Sequence, residues 1–121
     1  MKYDDSNIFA KILRGEIPCK KIYEDEFVLS FYDINPQKKV HALVIPKGKY
    51  TDLDDFSAKA SPEEMVGLLK GINTVAKKLG ISTDTGKGYR ALANISEDGG
   101  QEVPHLHFHL FGGEKIGKMV Q

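Results

Sequence analysis

Three histidines stand two residues apart near the end of the chain, in His105-Leu106-His107-Phe108-His109-Leu110-Phe111. Side chains alternate faces along a strand, so His105, His107 and His109 share one face at spacings of about 6.5–7 Å, while Leu106, Phe108 and Leu110 turn to the core. One histidine in a strand is ordinarily a satisfied polar residue. Three in strict alternation repel one another when charged, which favours neutral rings near pH 7. A neutral imidazole is a nucleophile, a base or a metal ligand.

Two chemistries fit the row. It can bind zinc, with His41 as a fourth nitrogen ligand. Alternatively, one imidazole attacks phosphorus while the others hold phosphate oxygens. The neighbouring segment Ser96-Glu97-Asp98-Gly99-Gly100-Gln101 favours phosphorus. Glycines let backbone approach a ligand closely, and free N–H groups suit phosphate. A closed structural zinc site has no need of such a loop. Asp33 precedes the Asn35-Pro36 turn; a carboxylate there can cap the turn or accept the two hydroxyls of a ribose. On position alone, turn capping is the simpler role. Gly80 with Gly86-Lys87 is one residue too widely spaced for a phosphate-binding loop. Gly88 also stands where that loop needs Ser or Thr, so the segment reads as a turn.

The elements that must position these residues follow from pattern. Ser6 or Asp5 can cap a short helix carrying Ile8, Phe9, Ile12 and Leu13, ended by Gly15. Lys21–Glu24 and Phe27–Tyr32 form a hairpin, and Pro36 breaks the chain beyond it. Val40–Ile45 is a third strand, buried on both faces except at His41. Tyr50–Ala60 reads as polar loop with a turn of helix near Leu53–Phe56. Ser61-Pro62-Glu63-Glu64 opens the one long helix with a capping box, and Gly80 stops it. Gly67 and Gly71 within it either permit a close approach, as at a dimer contact, or are tolerated surface residues. Tyr89–Ile95 is a fourth strand and His105–Phe111 a fifth. The expected class is α+β, a five-stranded antiparallel sheet with one long and one short helix.

Composition narrows the function. A chain of 121 residues fits one domain, and a 40% hydrophobic share is that of a soluble globular protein. Lysine plus arginine balance aspartate plus glutamate at 17 each, so no global field argues for nucleic acid or an acidic membrane as partner. Cys19 is the only cysteine, which excludes an internal disulfide or a C-x-x-C pair and suits a reducing, cytoplasmic compartment. Neither a signal peptide nor an apolar run of about 20 residues is present.

Taken together, several segments resemble one family. The triad fits His-φ-His-φ-His-φ-φ, where φ is apolar. Asn7-Ile8-Phe9-Ala10-Lys11-Ile12, Glu16-Ile17-Pro18, Phe31-Tyr32-Asp33-Ile34-Asn35-Pro36, His41-Ala42-Leu43-Val44-Ile45-Pro46-Lys47 and Gly99-Gly100-Gln101 match the histidine triad nucleotide-binding (Hint) branch in order and spacing. The likeness runs from about Ser6 to Gly113. It implies a purine nucleoside phosphoramidase or nucleotidyl hydrolase acting on adenosine or guanosine monophosphate joined to an amine. By the matching positions, His107 is the nucleophile and His109 and the Gln101 region, including Gly100 and Glu102, meet the phosphate. The His105 carbonyl sets the tautomer of His107, and His41 buttresses His105. Asp33 then takes the ribose hydroxyls, against the turn-capping preference. Ile8, Phe9, Ile12, Ile17, Phe31 and Ile34 enclose the base, and Asn94 reaches the phosphate.

The resemblance further implies no metal or other cofactor, and a homodimer joined through the long helix and fourth strand. Glu102 departs from members that carry a serine there, which leaves the leaving-group preference open. Ala10 and its neighbours lack the zinc-binding cysteines of some bacterial relatives. The tail, which tunes specificity in this branch, is short and has no tryptophan. The alternatives are a dinucleoside polyphosphate hydrolase, against which Gly112-Gly113 counts, and a nucleotide-binding regulator with little turnover.

Overall fold

The computed structural model describes residues 2–120. The elements run α1 (Ile8–Leu13), β1 (Lys21–Glu24), β2 (Val28–Tyr32), β3 (Val40–Pro46), α2 (Leu53–Lys59), α3 (Pro62–Lys78), β4 (Arg90–Leu92), α4 (Ser96–Gly99) and β5 (Phe108–Gly112). The strands form one sheet in the order β1-β2-β3-β5-β4, with every neighbouring pair antiparallel. The α+β class and five-stranded antiparallel sheet agree with the expectation. The short helix α4 forms where a loop was expected, and α2 extends the turn of helix expected near Leu53–Phe56. Asp52 caps α2 by accepting from the Asp55 N–H, so the single expected turn grows to seven residues.

Alternation divides the sheet into two unlike faces. Val28, Ala42, Val44, Leu106 and Leu110 pack on the side covered by Leu68, Ile72 and Val75 of α3. Leu29, Phe31, Leu43 and Ile45 turn the other way, against Phe9 of α1. His41 shares the parity of Leu43 and Ile45, and it is buried like them rather than standing exposed between buried neighbours. The histidines thus belong to the α1 side, opposite the long helix.

The helix ends rest on capping. Ser61 and Glu64 form the expected capping box at α3. At α1 the cap is Asn7, whose side-chain oxygen accepts from the Ala10 N–H, rather than Ser6 or Asp5. Ser6 is occupied instead by hydrogen bonds to the Asp4 carboxylate.

Gly67 and Gly71 serve a contact within the chain. A Cβ at Gly67 would lie 2.5 Å from the Phe27 ring, and one at Gly71 2.8 Å from a Val28 methyl. These two residues let α3 lie close on β2. Val28 is fully buried and has nowhere to move. Gly71→Ala is therefore expected to lower stability by about 1–2 kcal/mol, overpacking outweighing the roughly 1 kcal/mol gain in helix propensity. Chemical denaturation of the two proteins measures this; an unchanged or raised midpoint would refute the tight contact.

Candidate active site

The fifth strand is shorter than its sequence pattern. Pairing to β3 begins at Phe108 opposite Val44, and His105 and His107 lie on the lead-in. The chain before it is curled, with the His105 N–H donating to the Val103 carbonyl, and Leu106 N–H donates to the Tyr50 carbonyl. Alternation survives without the ladder, because Leu106, Phe108 and Leu110 all reach the α3-side core. The fourth strand is likewise cut to Arg90–Leu92 from the expected Tyr89–Ile95. The rings on the histidine face draw together: His107 and His109 have centroids 5.1 Å apart, and Phe9 meets His107 edge-on at 5.0 Å.

Each imidazole has partners that decide which nitrogen carries its proton. A carbonyl only accepts, so the 2.7 Å contact between His107 Nδ1 and the His105 carbonyl puts hydrogen on Nδ1. The lone pair of His107 is then on Nε2. His105 Nε2 donates to the Pro46 carbonyl at 2.8 Å, and its Nδ1 faces the Tyr3 hydroxyl at 2.5 Å. The Gln37 N–H donates to His41 Nδ1 at 3.2 Å, which places the His41 hydrogen on Nε2. That N–H meets His109 Nδ1 at 2.9 Å, leaving His109 with a donor at Nε2. His41 therefore supports His109 and not His105, correcting the expectation. Sequence parity alone does not say which ring a cross-strand histidine will meet; His41 lies directly opposite Phe111 in the β3–β5 register, and His109, two residues away, is its next neighbour on the same face.

All four imidazoles are held below their ordinary value of 6.5, and burial is the largest cause in each. His105 is pushed down to about 4 by burial, with the Pro46 hydrogen bond opposing and the His107 charge assisting. His109 also falls to about 4, through burial and then repulsion from His107 and His41. In His107 the hydrogen bond to His105, Asp33 and Glu102 oppose the burial effect. Four neutral rings result at neutral pH.

A cavity of about 320 Å³ opens on this face, lined by Phe9, Asp33, Asn94, Gly100, Glu102, His107 and His109 together with Asn35, Gln37, Leu43 and Val103. Seven residues singled out from the sequence thus meet at one cavity. Asn35, Gln37, Leu43 and Val103 were missed, as ordinary turn and core residues carry no chemical signal. Asp33 takes the turn-capping role read from its position and also faces His41. One carboxylate oxygen caps the turn by accepting from the Asn35 N–H, and the other lies 3.4 Å from His41 Nε2.

Other expected contacts lie further back. Phe31 is buried behind Phe9 in an edge-on pair, and Ile12 packs on the same cluster. Ile8 is exposed, and Ile17 is partly buried. Ile34 is exposed in an adjoining cleft with Pro18, Cys19, Tyr32, Pro36 and His41. The Gln101 side chain is committed elsewhere: its amide donates to the Thr51 and Val103 carbonyls and its oxygen accepts from the Ser96 N–H. The N–H groups of Gly100 and Gln101 close the α4 turn onto Glu97 and Ser96 rather than standing free, so the glycine segment is a helical turn and not an open amide nest.

Asp33, His41 and His109 offer one ligand atom each, all within 4.8 Å of one another. A divalent cation there would have to displace the proton that His41 shares with His109. His105 and His107 fall outside that group, so the row does not act as one ligand set among the described residues.

Comparison with known proteins agrees with this geometry. The HIT domain family model matches residues 14–116. A HIT-like protein of Azospirillum brasilense is 54% identical over 98% of this chain and 94% of its own. The purine nucleoside phosphoramidase of Escherichia coli is 39% identical over 96% of this chain and 94% of its own. Among solved structures, a HIT family hydrolase from Clostridium thermocellum superposes with a TM-score of 0.86 at 36% identity, over 98% of this chain and 99% of its own. The triad, its two-faced sheet and these relatives place the chain in the HIT domain family.

Proposed function

We propose that the protein is a nucleotidyl hydrolase of the purine nucleoside phosphoramidase type, acting on adenosine or guanosine 5′-monophosphate joined to an amine. The observation that carries this reading is the His107–His105 hydrogen bond, which leaves the Nε2 lone pair of His107 in the cavity. The phosphoramidase relative and the hydrolases of the same family support it.

In the proposed reaction the Nε2 lone pair of His107 attacks the α-phosphorus, the P–N bond breaks, and the amine leaves with a proton taken from solvent. A nucleotidyl-histidine remains. Water then attacks phosphorus, the P–Nε2 bond breaks, and the nucleoside monophosphate departs as the water's proton passes to solvent. His109 donates from Nε2 to a phosphate oxygen, and Asn94 supplies a second polar contact. Asp33 accepts from the ribose hydroxyls. Phe9 and its apolar neighbours cover the base side. Glu102 stands at the rim, where the leaving group passes. The reaction takes place within one chain, and a homodimer is part of the same proposal.

A second reading has one observation in its favour. A cleft of about 290 Å³ adjoins the other side of His109, and Lys38, Arg90 and Lys118 line it without a carboxylate among its lining residues. Such a cleft suits an anionic leaving group, as in a dinucleoside polyphosphate. Side-by-side kinetics on an adenosine phosphoramidate and a diadenosine polyphosphate separate the two, and a clear preference for the polyphosphate would reverse the ranking.

His107→Ala is expected to lower phosphoramidate hydrolysis by at least about a thousandfold, because no other group can form the intermediate. Rapid quench followed by intact-mass measurement should show a nucleotidyl adduct on the wild-type protein and none on the variant. Turnover by the variant at the wild-type rate would remove His107 from the role. Binding of adenosine monophosphate with no adduct and no turnover in the wild type would favour a regulator.

The pH dependence follows from the depressed pKa values. His107 must be neutral to attack, so kcat/KM should be flat at neutral pH and fall on an acid limb below pH 6.5. Stability should follow the same direction. The unfolded chain binds more protons than the folded one between the ordinary value of 6.5 and the folded value of about 4 for His105 and His109. Stability is therefore full above that window and lost as pH falls through it. A Tm that holds level from pH 7 to pH 4 would contradict the burial of neutral imidazoles.

A further inference from the structure

Tyr3 lies outside every motif of the sequence, yet its hydroxyl is 2.5 Å from Nδ1 of His105, a residue with no solvent exposure. The geometry leaves one arrangement of protons. The Pro46 carbonyl can only accept, so His105 Nε2 carries hydrogen and Nδ1 presents a lone pair. The Tyr3 O–H must then be the donor. Burial raises the Tyr3 pKa, so the hydroxyl keeps its hydrogen. The ring also meets His105 edge-on, with centroids 5.5 Å apart.

The segment carrying Tyr3 is tethered through Asp4 and Asp5, the two residues that follow it. Asp5 pairs with Lys49 at 2.9 Å, and its carbonyl accepts from Arg14 at 2.9 Å. The Asn7 amide donates to the Asp4 carbonyl at 2.8 Å. Asn7 also caps α1, the helix that presents Phe9 to His107. His105 is thus gripped at both ring nitrogens, by Tyr3 on one side and by Pro46 on the other, while its own carbonyl holds His107.

We propose that Tyr3 is a positioning residue for His107, acting through His105: Pro46 sets the tautomer of His105, and the Tyr3 hydroxyl holds that ring in one orientation, which steadies the residue whose carbonyl directs the His107 lone pair into the cavity. The inference rests on His107 as nucleophile. Without the hydroxyl, His105 Nδ1 becomes a buried acceptor with no donor, an arrangement that proteins avoid. Nε2 stays tied to Pro46, but the ring is then gripped on one side only and gains freedom to tilt, which loosens the residue whose carbonyl holds His107.

The test is Tyr3→Phe, which keeps the edge-on ring and removes only the oxygen. The chain has four histidines, so imidazole ¹⁵N resonances can be assigned individually. In the wild type, His105 should show a lone-pair nitrogen at Nδ1 and a protonated Nε2, and His107 the reverse. In the variant, His105 Nδ1 should move toward the position of a lone-pair nitrogen that accepts no hydrogen bond while Nε2 stays protonated, with a smaller shift at His107. The single-turnover rate of His107 nucleotidylation should fall about tenfold, with affinity for adenosine monophosphate unchanged, as loss of one positioning hydrogen bond implies. Unchanged nitrogen shifts overturn the proposal, whatever happens to the rate. Shifted nitrogens with an unchanged rate overturn it as well. If the wild-type protein forms no nucleotidyl-histidine, the proposed function fails, while the nitrogen shifts still decide whether Tyr3 sets the state of His105.

Discussion

The hydrogen bond from His107 Nδ1 to the carbonyl of His105 is the contact on which the rest of the site depends. It spans only two residues, on the curled lead-in to β5. Holding it in one geometry requires His105 to be immobile, and that residue is fixed by a fully buried ring with a partner on each nitrogen. The short lead-in before β5, the Pro46 end of β3 and the N-terminal segment all converge on one imidazole. The His107 imidazole is thereby oriented by backbone, which cannot change its protonation state as a carboxylate can.

Burial does the second part of the work. Each ring is desolvated on the α1 face of the sheet, and desolvation is the largest influence on all four histidines. Charged imidazoles so close together would repel, and neutral ones can share hydrogens in a directed chain. From the Gln37 N–H through His41 to His109, each donor fixes the next acceptor. The site therefore holds one lone pair, on His107, and one donor, on His109, facing a common cavity. These features follow from a two-faced sheet that spends one face on α3 and the other on the histidines.

The curated relatives and solved structures extend across nearly the whole chain, so the likeness includes the elements around the triad as well as the triad itself. No helix among the described residues is long and apolar enough to cross a membrane. The cleft beyond His109 is lined by Lys38, Arg90 and Lys118, whereas the cavity at His107 carries the carboxylates of Asp33 and Glu102. The two neighbouring hollows thus differ in sign of charge, and His109 borders both.

Much of this was legible in the sequence because it depends on local rules. Alternation put His105, His107 and His109 on one face, and Ser61 with Glu64 marked the start of α3. Pro36 and its neighbours marked the turn that Asp33 caps, and the family pattern pointed to Asp33, Asn94 and Glu102 as cavity residues. What the sequence could not contain were pairings between residues far apart in the chain. His41 meets His109 rather than His105, Gln101 closes a turn against Thr51, and Gly67 and Gly71 answer to Phe27 and Val28. Tyr3 is the extreme case, since it meets a histidine 102 positions away. Periodicity reports which face a side chain takes. Which partner it finds there depends on strand register and on how separate segments close over that face, and only the folded chain decides those.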